Sequence, residues 1–74
     1  MMNFGKSIES CLLANGWTKQ HLADLASIPR EEVSRIVAGK RNISFRIAEE
    51  IASALGYPLW EMISPGFRPR QKVA

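Results

Sequence analysis

Cysteine and histidine are nearly absent from this 74-residue chain, where Cys11 and His21 are the sole examples. A single cysteine forbids an intramolecular disulfide, and one residue of each kind cannot assemble a Cys/His zinc set. That usage fits a reducing compartment, so a cytoplasmic location is expected. Long apolar runs are missing too. Nothing approaches the roughly 18 residues of a membrane span, and the first ten residues, MMNFGKSIES, already mix charged and polar side chains. Neither a signal peptide nor a membrane segment is expected. Catalytic groupings are equally scarce: no nucleophile stands beside a base, and there is no Gly-rich phosphate loop. The adjacent pairs Glu31-Glu32 and Glu49-Glu50 project about 100° apart on a helix, so neither pair can share a proton or a metal. An enzyme, a cofactor, a metal and a small-molecule substrate are all unexpected.

Hydrophobic residues make up 46% and charged residues 23%, an ordinary globular balance that calls for a packed core. A chain this short buries only about 60–65% of its unfolded surface. It must therefore pack locally as helices or complete its core by dimerising. The net charge is +3 and the pI about 9.5. Residues 1–29 carry Lys6 and Lys19 against Glu9 and Asp24 and are neutral, whereas 30–41 carry Arg30, Arg35, Lys40 and Arg41 against Glu31 and Glu32. Residues 42–63 are net acidic, and the tail after Ser64 adds Arg68, Arg70 and Lys72. A central basic patch and a basic tail suit an anionic partner such as nucleic acid, and equally an ordinary solvated surface.

Apolar periodicity predicts five short helices. Phe4, Ile8, Cys11 and Leu12 share one stripe of a helix from about Asn3 to Ala14, stopped by Asn15-Gly16. Thr18 reads as the N-cap of a second helix with Leu22, Ala23, Leu25 and Ala26 inward; its N3 residue is His21, so no reciprocal capping box forms. Pro29 breaks the chain after Ser27-Ile28. A third helix opens at Pro29 or Arg30, with Val33, Ile36 and Val37 inside and Gly39 as its stop. Ser44 caps a fourth helix, whose inner positions are Ile47, Ala48, Ile51, Ala52 and Leu55 and whose end is Gly56. Pro58 at a first helical position starts a fifth, to about Ile63. Residues 1–64 thus form an all-α domain, and 65–74 a basic C-terminal tail expected to be mobile.

The second and third helices, joined by three or four residues, have the dimensions of a helix-turn-helix. The second of the pair is apolar on one side and keeps Arg30, Glu31, Ser34 and Arg35 outward. Arginine can donate twice to guanine O6 and N7, glutamate can accept from cytosine N4, and serine can serve either edge. Gly39-Lys40-Arg41-Asn42 follows at once, two cations and an amide suited to phosphate.

Thr18-Lys19-Gln20-His21-Leu22-Ala23, Ile28, Val33-Ser34-Arg35-Ile36, Gly39-Lys40-Arg41-Asn42 and Ile51-Ala52-Ser53-Ala54-Leu55-Gly56 together resemble the Cro- and repressor-type (XRE-like) helix-turn-helix family. The resemblance runs from about Phe4 to Ile63 and implies a lambda-repressor-like fold whose third helix enters the major groove. It implies base contacts from Arg30, Glu31, Ser34 and Arg35, and backbone contacts from Thr18, Lys19, Lys40, Arg41 and Asn42. Ser27 stands where the family usually has glycine, and Pro29 where it has a Ser or Thr cap, which leaves the shape of the turn and the start of the third helix open. Ile43-Ser44 also resembles HigA-like antitoxins, and Leu59-Trp60-Glu61-Met62-Ile63-Ser64-Pro65 resembles Ner-like phage regulators.

The same residues admit plainer readings. Glu31 and Glu32 lie at helical ion-pair spacing from Arg35. Trp17 fits a core position or a base-stacking platform, Cys11 a core position, and His21 a solvated surface or a phosphate contact. Leu59, Trp60, Met62, Ile63 and Phe67 exceed what a two-turn helix needs. Leu59, Trp60, Ile63 and Phe67 are candidate dimer contacts, with closure of the monomer core as the other reading. The expected function is a sequence-specific double-stranded DNA-binding regulator, a repressor acting as a homodimer on inverted half-sites, with Arg68, Arg70 and Lys72 adding phosphate contacts. The alternative is an antitoxin-like protein that neutralises a partner toxin and autoregulates its operon.

Overall fold

Phe4, Ile8, Cys11 and Leu12 are all buried along one side of α1 (Phe4–Asn15), where the 3.6-residue period places them. A computed structural model describes residues 4–39 and 43–70. Lys40, Arg41, Asn42 and Lys72, each a candidate contact residue, lie outside the described residues. The other helices are α2 (Lys19–Ala26), α3 (Arg30–Val37), α4 (Phe45–Leu55) and α5 (Leu59–Met62), with no strand among the described residues. The chain is all-α.

Caps set most of the boundaries. Thr18 Oγ1 accepts the His21 N–H at 3.0 Å, and Ser44 Oγ accepts the Ile47 N–H at 3.2 Å. Each occupies a donor that the first helical turn leaves without a partner. Pro29 and Pro58 occupy N-cap positions, with ψ of 146° and 145° and no side-chain bond. Pro58 therefore precedes the fifth helix rather than opening it, and α3 begins at Arg30. Gly56, at φ 88°, closes α4.

Between α2 and α3 the backbone turns on Ser27, at φ 59° and ψ 42°. Its N–H donates to Ala23 and Asp24, and the Ile28 N–H donates to the Ala23 carbonyl at 3.0 Å. The serine thus takes the left-handed conformation that a glycine adopts freely, and the helix end keeps its usual closure.

A single core draws on every helix, with Leu22, Val33, Ala48, Ile51 and Met62 wholly enclosed. α2 packs on both α3 and α4, α1 packs on α3, and α5 packs on α4 and α1. Leu25 departs from the predicted inward set, being 50% exposed. Leu22, Ala23 and Ala26 form the buried surface of α2, and Leu25 is left at its rim beside Arg46, Glu49 and Glu50 of α4. Ser7 is the one buried polar residue in the described core; its hydroxyl donates to the Met62 carbonyl at 2.6 Å and ties α1 to α5.

Candidate nucleic-acid interface

α3 is eight residues long, about 12 Å at 1.5 Å per residue, close to the ~12 Å width of a B-DNA major groove. Val33 and Ile36 are buried and Val37 is half-buried, which fixes the helix to the body by one side. Arg30, Glu31 and Arg35 are exposed and Ser34 is half-buried. The structure therefore brings the four predicted base-contact residues onto the surface of one short helix. Glu31 and Glu32 in the first turn and Arg35 in the last also match the helix dipole. No hydrogen bond or ion pair joins Glu31 to Arg35 among the described residues, so the surface ion-pair reading of that spacing is not realised.

α3 is held from behind by two helices. α2 lies against it through the Ser27-Ile28-Pro29 turn, with Ile28 half-buried against the core. α1 supports it at its C-terminal end, where Gly5 meets the last turn. A Cβ on Gly5 would stand 2.7 Å from the Ile36 carbonyl oxygen and 2.8 Å from that of Val37. An isolated glycine inside a helical pattern is a signal for such close approach. The partner elements, some thirty residues away, are what periodicity alone cannot supply.

At the start of α2, Thr18 and Lys19 are exposed. Thr18 Oγ1 already accepts from His21, yet its O–H remains a donor. Gln20, next in line, donates to Asp24 at 2.8 Å. Trp17 is half-buried against the core and meets the His21 ring edge to face, with centroids 4.6 Å apart. This favours the core reading of Trp17 over a stacking platform. Cys11 is buried, and loss of solvent pushes its thiol up to about 11. No grouping of three or more metal-ligating side chains occurs among the described residues. Nor is any of their helices long and apolar enough to cross a membrane.

The candidate dimer residues divide. Trp60 is 69% exposed and Ile63 38% exposed, whereas Leu59 and Phe67 are half-buried against the core of their own chain and Met62 is wholly enclosed. Of the tail, expected to be mobile over 65–74, the described part as far as residue 70 makes contacts with the body. Phe67 meets Tyr57 edge to face at 5.2 Å, and the Arg70 N–H donates to Tyr57 Oη at 2.7 Å. Arg68 is exposed. Tyr57 escaped the sequence reading because its partners stand ten and thirteen residues further along the chain, beyond any helical spacing.

Comparison with known proteins adds one result to this geometry. A family model described as helix-turn-helix matches residues 8–59, from within α1 to the first residue of α5. Neither the curated proteins nor the solved structures give a match.

Proposed function

Since the chain belongs to the helix-turn-helix family and is a DNA-binding transcriptional regulator, we propose that it is a repressor that binds an inverted-repeat operator as a homodimer. The observation that carries this reading is the exposed Arg30, Glu31 and Arg35 surface of a helix anchored by buried Val33 and Ile36. In the major groove, Arg30 and Arg35 donate in pairs to guanine, Glu31 accepts from cytosine N4, and Ser34 bonds to a neighbouring edge. Thr18 and Lys19 contact phosphate and set the register, joined by Lys40, Arg41 and Asn42, which follow α3 in the sequence, and by Arg68 of the tail. Trp60 of α5 and Ile63 just after it, both exposed, are the core of the subunit contact. A domain this small represses by occlusion, its bound dimer covering a promoter.

Selection of duplexes from a random library at about 150 mM salt, where weak nonspecific binding fades, tests the proposal. An inverted repeat with half-sites about one helical turn apart is the expected product. Arg30→Ala or Arg35→Ala then relaxes one base position and costs about 1–3 kcal/mol of discrimination. Lys19→Ala weakens all sequences alike and flattens the salt dependence. Absence of any enriched sequence overturns the reading.

The exposure of Trp60 also favours a second reading, an antitoxin-like protein whose α5 surface binds a partner protein. A stoichiometric copurifying protein that is lost in Trp60→Ala supports that reading over the homodimer.

A further inference from the structure

Tyr57 sits at the junction of α4 and α5, 8% exposed, and three groups of the C-terminal segment converge on it. Phe67 packs edge to face on its ring, the Arg70 N–H donates to its hydroxyl, and the Arg70 guanidinium lies over the ring at 4.9 Å. The same guanidinium reaches Glu61 of α5 at 3.7 Å. Gly66, at φ 77°, reverses the chain so that the segment can return, and the Phe67 N–H donates to the Ser64 carbonyl at 3.2 Å. One aromatic side chain is thus engaged by a ring, a cation and an N–H donor from residues ten to thirteen positions away.

We infer that residues 66–70 form a latch on Tyr57 that fixes α5, and that Arg70 serves this latch rather than DNA phosphate. The folded unit accordingly extends past Ser64 through Arg70. Its place in the fold agrees with that role. α5 packs on α1 and α4, whereas the candidate DNA surface belongs to the α2–α3 pair. Although the Arg70 side chain is 72% exposed, its guanidinium already has Glu61 and the Tyr57 ring as neighbours before DNA arrives. The tail is divided by this arrangement, with Arg68 left to solvent and Arg70 turned back on the protein.

The full-length chain is compared with Arg70→Ala and Tyr57→Phe by thermal unfolding and by the salt dependence of binding to a single-half-site duplex. Arg70→Ala removes the ring stack and the ion pair, and Tyr57→Phe removes only the acceptor hydroxyl. Each is expected to lower Tm by about 4–8 °C while the slope of log K against log salt stays at the wild-type value. A slope shallower by about 0.9 in Arg70→Ala shows a lost phosphate contact and overturns the inference. An unchanged Tm in either variant overturns it as well. The unfolding arm is read without DNA, so failure of the latch and failure of the DNA-binding reading are told apart.

Discussion

Gly5→Ala adds one methyl group to the face of α1 that touches α3, and the structure says what it meets. The new Cβ would lie 2.7 and 2.8 Å from the carbonyl oxygens of Ile36 and Val37, where ordinary contact begins at 3.4 Å. Both neighbours are backbone at the end of a helix, so no side-chain rotation relieves the overlap. α1 has to move back by about 0.7 Å, but Phe4 and Ile8 anchor that part of α1 in the core at 1% and 0% exposure. A gap of 0.5–1 Å forfeits about a quarter to a half of the dispersion attraction at each opened contact, and overpacking of this kind costs about 1–3 kcal/mol. Alanine's better helix propensity returns up to about 1 kcal/mol, less in a first turn. A net loss of about 1–2 kcal/mol remains, a fall in Tm of about 5–15 °C for a domain of this size. Helical circular dichroism followed through thermal unfolding measures it. Because α1 supports the C-terminal end of α3, half-site DNA affinity is expected to fall together with Tm. A Tm equal to or above wild type refutes the reasoning, since propensity would then outweigh a contact the structure treats as closed.

Other positions give independent tests. Ser27→Gly relieves a left-handed serine worth about 1–2 kcal/mol against the added unfolded-state freedom of glycine, so Tm is expected to rise by about 2–8 °C with DNA affinity unchanged; a fall contradicts strain at this turn. Thr18→Ala removes the α2 cap and is expected to cost about 1 kcal/mol in urea unfolding, with Ser44→Ala matching it at α4. Cys11, protonated at pH 8 and enclosed, is expected to resist a disulfide reagent in the native state and to react fully in denaturant. Its folded pKa of about 11 lies above the ordinary 9.0, so its stabilising contribution is intact below pH 9 and is lost as pH rises through 11. Cys11→Ala is expected to flatten that part of the alkaline stability profile, measured as Tm between pH 8 and 11.

The helices, their caps and the outward set on α3 were legible in the sequence because each depends on neighbours within about four residues. Periodicity placed Phe4, Ile8, Val33 and Ile36 inside, and capping chemistry placed Thr18, Ser44 and Gly56 at helix ends. Hydroxyl-to-amide capping and the left-handed preference of glycine are local, so one strand of text contains them.

Tertiary structure alone decided what distant elements do to one another. Leu25 shares a stripe with Leu22 yet is exposed, because it falls at the rim of the α2–α4 contact while Leu22, Ala23 and Ala26 are buried. Met62 belongs to the core because α5 packs on both α1 and α4, while Trp60, two residues earlier, stays in solvent. Gly5 is an unremarked helix residue until the end of α3 approaches it, and Arg70 is a tail cation until Tyr57 and Glu61 hold it. Short-range order fixes which face of each helix is apolar; which helix covers that face, and which cations remain free for DNA, depends on contacts that exist only after the chain has folded back on itself.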